Sequence, residues 1–164
     1  MSSYNSPENL AHVKSIAETL EAYCNGDIYR DDSGNLWSVY TEGESYQSED
    51  YPRDFWQYDE TAELWTRSST GETSEDDPAD NWEQCDIWQY FENTDIYNTE
   101  YRVSGPNDDP SSVCIMVTCG GPNIYIDTKS EAVELYWWGD RASYPLSSDA
   151  AAAIDEYFTE LWHC

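Results

Sequence analysis

Thirty-four Asp and Glu stand against seven Lys and Arg in this 164-residue chain, a net charge of −27. Such a chain repels itself, which keeps it soluble and opposes a compact state. Something strong must be set against that repulsion, and the sequence offers eight Trp and fourteen Tyr. Disordered chains are poor in large aromatics. A folded protein is therefore expected, read as one α+β domain over residues 1–164, with 68–80 as a candidate flexible acidic loop.

The charge is uneven. Residues 27–110 hold −19 of it, whereas a general adaptation to salt would spread it. In this half the carboxylates alternate with aromatics: Glu49-Asp50-Tyr51, Asp54-Phe55-Trp56, Tyr58-Asp59-Glu60, Glu63-Leu64-Trp65 and Asp80-Asn81-Trp82-Glu83. Aromatic anchors would hold carboxylates at set spacings, which a mobile acidic tail does not need. The densest stretch is Gly71–Asp86, GETSEDDPADNWEQCD, with seven carboxylates, one Trp and no cation. Gly71–Ala79 reads as loose; Asp54–Glu63 and Asp80–Glu92 read as anchored.

The two ends and the last third carry the clearest periodicity. Ser6-Pro7-Glu8 is a helix start, followed by Leu10, Val13, Ile16, Ala17, Leu20, Tyr23 and Cys24 at helical spacing. Asn25-Gly26 closes it. Residues 27–40 read as a hairpin around Asp31-Asp32-Ser33-Gly34-Asn35, and 41–53 as a polar loop. Further on, Asn98–Ser104, Val113–Thr118, Ile124–Asp127 and Val133–Trp138 make a four-stranded antiparallel meander. Residues 139–145 lead out of the sheet. Ser147 or Ser148 caps a last helix, with Ala151, Ile154, Tyr157, Phe158, Leu161 and Trp162 as its apolar stripe. The helix is expected on one face of the sheet.

Asp54–Trp65 (DFWQYDETAELW) and Asp86–Tyr97 (DIWQYFENTDIY) match at an offset of 32. They are either a small internal repeat or a coincidence in a chain rich in these letters. The first reads as strand–turn–strand. The second reads equally as a short helix over 82–91.

No motif for chemistry stands out. Cys114 and Cys119 point to opposite faces of a strand and make poor co-ligands; no CxxC pair exists. DDSGN has the composition of a calcium loop, but its Gly is misplaced and no bidentate Glu follows, so a tight turn is expected. The two histidines, His12 and His163, have no nucleophile motif around them. Gly120-Gly121 precedes Pro and a strand, unlike a phosphate loop. With 34 acids some carboxylate pair will always sit at a glycosidase separation, so that signal has little specificity. Trp137-Trp138 reads as a strand pair with one Trp in the core and one able to stack on a sugar or a partner. No catalytic residue, metal or cofactor is expected.

A chain with this charge avoids nucleic acid and anionic membranes and attracts basic surfaces, the largest of which belong to nucleic-acid-binding proteins. Duplex DNA carries one charge per ~1.7 Å, so 27 charges match about 45 Å of duplex. The start, MSSYNSPENL, has no basic region or apolar core. Together with five widely spaced cysteines, this makes reduced thiols and a bacterial cytoplasm the expectation.

In charge and aromatic content the chain resembles the phage and mobile-element proteins that mimic DNA, the antirestriction and anti-CRISPR inhibitors. Cys119–Leu146, CGGPNIYIDTKSEAVELYWWGDRASYPL, is similar to uncharacterised proteins carried by mobile elements of Gram-positive gut bacteria. The resemblance implies a non-enzymatic inhibitor whose partner is a basic nucleic-acid-binding protein. The contact region expected on this reading is Glu60, Glu63, Glu75, Asp76, Asp77, Asp80, Glu83 and Asp86. Two other readings remain open at this point: a regulatory interaction module using a Trp/Tyr-rich sheet face, and a small carboxylate-dependent hydrolase.

Overall fold

The computed structural model describes residues 6–40 and 44–164. In chain order the elements are α1 (Pro7–Asn25), β1 (Ile28–Arg30), β2 (Leu36–Tyr40), β3 (Ser45–Ser48), β4 (Phe55–Asp59), β5 (Leu64–Arg67), β6 (Thr73–Ser74), β7 (Glu83–Gln84), α2 (Ile87–Glu92), β8 (Asn98–Arg102), β9 (Ser112–Thr118), β10 (Asn123–Asp127), β11 (Ala132–Trp137), β12 (Asp140–Pro145) and α3 (Ser148–Trp162). The class is α+β, and the chain divides into two compact units. One comprises residues up to Cys24 together with Ile87–Cys164; the other is Asn25–Asp86. Among the described residues no helix is long and apolar enough to cross a membrane.

The first unit follows aliphatic periodicity. Val13, Ala17, Leu20 and Tyr23 of α1 are buried at helical spacing, and Gly26 at φ +76° ends the helix where a side chain would be strained. β8–β12 form an antiparallel sheet in the order β12-β11-β10-β9-β8. Registered pairs such as Ile126↔Ile115 and Ile126↔Val133 put Ile115, Ile126, Val133 and their i±2 neighbours on one buried face. α3 packs on β9 and α2. Its N-cap is Ser147, whose hydroxyl accepts from the Ala150 N–H, and Phe91 stacks on Tyr157 with centroids 5.4 Å apart.

This sheet has five strands, not four. Residues 140–145 do not leave it: they pair with β11 over six positions, from Trp137↔Asp140 to Ala132↔Pro145. The signal is weak because Ala142 is the one fully buried residue of the strand. As an edge strand, β12 tolerates Pro145 at its end.

The second unit is a seven-stranded antiparallel sheet in the order β6-β5-β4-β3-β2-β1-β7. The part of 41–53 that the structure describes is not all loop, because Ser45–Ser48 is a central strand paired with both β2 and β4. Only Tyr46 of its four residues is large and apolar, so a periodicity reading passes over it. The 41–43 part of that expectation lies outside the described residues. Trp37, Tyr46, Trp56 and Trp65 form the buried cluster, with Val39, Tyr58, Ala79 and Trp82 packed against it. They come from one face because each strand alternates. Asp31 holds the β1–β2 turn: its carboxylate accepts from the backbone of Ser33 and Asn35 and from Trp37 Nε1 at 3.0 Å.

Two hairpins, one in each unit, share a loop. Asp59 and Asp127 each close a strand, and each Oδ1 accepts from the N–H groups two and three residues on. The fourth loop residue is Glu63 at φ +55° in one and Glu131 at φ +51° in the other. The matching letters are D-x-x-x-E: DETAE and DTKSE.

The proposed repeat halves fold differently. Trp56 is buried on β4, whereas its counterpart Trp88 stands partly exposed on α2. Helix α2 covers only Ile87–Glu92, shorter than the 82–91 expected, because Trp82 is drawn into the aromatic cluster and Glu83-Gln84 pairs with β1.

Candidate interaction surface

The acidic stretch 71–86 is a strap. The chain leaves β6 at one edge of the seven-stranded sheet and re-enters as β7 at the other edge. Six inter-strand steps of about 4.8 Å separate those edges by up to ~29 Å along the sheet. The nine residue steps from Ser74 to Glu83 reach on the order of 30 Å when fully extended. The strap contains a 3-10 turn at Pro78–Asn81, so it has little slack even where sheet twist shortens the path.

Three side chains pin it. The Tyr46 hydroxyl donates to Asp77, 2.9 Å from both carboxylate oxygens. Asp77 also caps the 3-10 turn by accepting from the Ala79 N–H at 2.9 Å. Trp82 lies flat on Trp37, centroids 5.4 Å apart at 16°, and edge-on to Tyr46 at 5.2 Å. Burial, and then the hydrogen bond to Asp77, push the Tyr46 phenol well above its ordinary pKa, so it stays a donor. Gly71–Ala79, read as loose, is tied by the β5–β6 pairing and by Asp77.

The sheet also holds a buried ion pair. Asp54 is 6% exposed, and Arg67 Nη2 lies 2.8 Å from its Oδ2. Burial alone would raise the Asp54 pKa; the bonds from Arg67 and Ser69 overcome it and hold the carboxyl below its ordinary value. The same guanidinium sits 5.1 Å over the Trp37 ring. A cation is thereby consumed internally, in a unit that has only three, Arg30, Arg53 and Arg67, against eighteen carboxylates.

The eight expected contact residues divide by role. Glu60 and Glu63 are in the β4–β5 loop; Glu75, Asp76, Asp77 and Asp80 lie along the strap; Glu83 is on β7 and Asp86 follows it. All but the half-buried Asp77 are exposed. Asp77 is structural, spent on Tyr46 and Ala79. The side chains of Glu60, Glu63, Glu75, Asp76, Asp80 and Glu83 make no hydrogen bond or ion pair among the described residues. The set is a band and not a point: from β5 to β7 is five strand steps, about 24 Å along the sheet.

Elsewhere the structure moves the tryptophans. Neither Trp137 nor Trp138 is core: they are 39% and 86% exposed. Trp137 ends β11 opposite Asp140, so Trp138-Gly139 is a two-residue hairpin loop, with φ +49° and +77°. Those signs make it a type I′ turn. The signal was the Gly after the second Trp, directly before a further strand. Among the described residues no group of three or more His, Cys, Asp or Glu is placed to hold a metal ion. All five cysteines are free thiols.

Comparison of the chain with protein-family models, with curated proteins and with solved structures finds no match.

Proposed function

We propose that this chain is a non-enzymatic acidic inhibitor that occupies the basic nucleic-acid-binding surface of a host defence protein, a CRISPR effector or a restriction enzyme, as a mimic of DNA. One observation carries the reading. Six exposed carboxylates without a structural task ride on a loop, a strap and an edge strand that are themselves pinned by rings and hydrogen bonds. Arg and Lys of a nucleic-acid-binding cleft are placed for phosphates at fixed positions. Carboxylates already held in place lose less freedom on meeting them than a mobile tail would. Desolvating them costs little in wrong pairings, because among the described residues none of them is in an ion pair with a cation of this chain.

The test is capture from a bacterial lysate at low salt, followed by elution in rising salt. A basic nuclease or guide-RNA-binding protein is expected to elute at moderate salt and to be competed by duplex DNA or guide RNA. Combined Glu60→Lys, Glu63→Lys, Asp80→Lys and Glu83→Lys is expected to weaken binding by at least about 100-fold, with a smaller salt slope. Unchanged affinity in that variant would remove the mimic model.

A further inference from the structure

Trp138 is badly placed for folding. The first position of a type I′ loop needs positive φ, which Asn, Asp or Gly adopt and a bulky residue does not. Trp138 takes it at φ +49° and then leaves 86% of its surface in water. It gains neither conformational ease nor burial. A large exposed aromatic held in a strained turn is a feature of binding sites more than of packing.

Its surroundings define what fits. Trp137 stands nearly perpendicular, ring centroids 5.5 Å apart at 76°, so the two indoles form a two-walled corner. The concavity continues over Tyr136, Asn123 and Gly121, with one carboxylate, Asp140, and one cation, Arg141, also on its lining. A Cβ on Gly121 would meet nothing within 4 Å, so this flank is open. The molecule already shows what such rings accept: the Arg141 guanidinium lies 5.5 Å over the Tyr136 ring. The net charge of −27 concentrates cations around the whole chain. Arg141 is engaged on Tyr136, and the two exposed indole faces, on a chain of this net charge, suit a guanidinium or ammonium group.

We propose that the Trp137–Trp138 corner is a docking site for an arginine or lysine side chain of a basic protein partner, a contact separate from the carboxylate band. It rests on the inhibitor reading only for the sign of the partner's charge.

The test uses the full chain, 15N-labelled, titrated with hexa-arginine peptide at low salt. The indole N–H resonances of Trp137 and Trp138 are expected to shift in a saturable way. Trp138→Asn suits the turn and keeps the charge, so it is expected to fold, to bind hexa-arginine about threefold more weakly and to keep the same salt slope. In the chain carrying Glu60→Lys, Glu63→Lys, Asp80→Lys and Glu83→Lys the two indole shifts are expected to persist at saturating peptide. That outcome is independent of whether this variant still captures a target. The proposal is overturned if the two indoles stay still while other resonances move. It is equally overturned if Trp138→Asn binds unchanged, if the indole shifts vanish with the carboxylate band, or if a neutral hexaglucoside moves the indoles at lower concentration than the peptide does.

Discussion

The two units build the same Asp-led hairpin loop and use it in opposite ways. In the first, Asp127 caps the loop and also takes Arg102 in a two-pronged pair at 2.8 Å. Thr128 donates to Asp155 at 2.6 Å, and Glu131 accepts from Ser148 at the start of α3. In the second, Asp59 caps the loop, and Glu60 and Glu63 face solvent. The contrast holds beyond the loops. In the first unit Glu21 holds Ser147, Glu134 holds Ser130 and Tyr136, and Asp140 holds Asn9. These carboxylates are joints. In the second unit Asp31, Asp54, Asp59 and Asp77 are joints and Glu72 reaches Arg67, while Glu60, Glu63, Glu75, Asp76, Asp80 and Glu83 are surface.

The cores explain how the second unit can spare so many. Among the described residues the first unit buries twenty-one hydrophobic side chains, mostly aliphatic, and the second only six, four of them Trp or Tyr. A large ring covers 150–250 Å², so a few positions close a core and the others are left for charge. The sharpest way to break this comparison is to remove one ring. Trp37→Ala deletes a side chain that is 1% exposed, supports Trp82 and Arg67, and bonds to Asp31. We expect a loss of about 3–5 kcal/mol in urea denaturation. A loss below 1 kcal/mol would mean that the aromatic cluster does not hold the unit.

Next in size is the buried pair. Asp54→Asn takes from Arg67 its buried carboxylate partner, leaving only the exposed Glu72 at 4.0 Å, and is expected to cost about 3 kcal/mol at neutral pH. The pH dependence should separate two kinds of carboxyl. Asp54 is held below its ordinary value of 3.8, so its contribution is complete above that pH and is lost as pH falls through the lower folded value. Asp127, bonded to Arg102, has the same sign. Asp155 has the opposite one: burial raises its pKa, and neighbouring Asp127 adds to that. The folded state then keeps a proton that the unfolded chain has lost, and the contribution fades as pH rises through the raised value. Stability against pH should flatten on the acid limb in Asp54→Asn and above pH 3.8 in Asp155→Asn. Parallel curves for the two variants would refute the assignment.

A smaller effect tests the strap. Tyr46→Phe removes the hydroxyl that fixes Asp77 and leaves the ring stack, and should cost about 1.5–2 kcal/mol. Hydrogen exchange of residues 76–83 should speed up while β9 and β10 stay protected. Unchanged exchange would show that Trp82 alone pins the strap.

What was legible in the sequence follows the same division. α1, α3 and β8–β11 were readable because Val, Ile, Leu and Ala recur at the periods of helix and strand. β3 and β12 were not, since SYQS and DRASYP each place one ring or one Ala inward and leave the rest polar. That aromatics anchor the acidic half was visible in the letters around Trp82. That Asp77 ties the strap to the sheet was not visible, because its partner Tyr46 is 31 residues away. The matched segments at offset 32 show the limit of letters: the same Asp, Trp, Gln and Tyr lie on a strand in one copy and on a helix in the other.

The smallest expected effects return to the shared loop. Glu63 and Glu131 both pay for positive φ, where Gly is relieved of the Cβ clash. Glu63→Gly removes strain and no side-chain bond among the described residues, so it should raise stability by about 0.5–1 kcal/mol. Glu131→Gly gains the same relief but gives up the bond from Ser148, and should come out near neutral. A matched gain at both sites would mean that the Ser148 bond contributes nothing, and that Glu131 is as free as Glu63. A gain at Glu63 alone would show that the two loops use their fourth residue differently: Glu131 is bound into the frame of its unit, and Glu63 is presented to solvent.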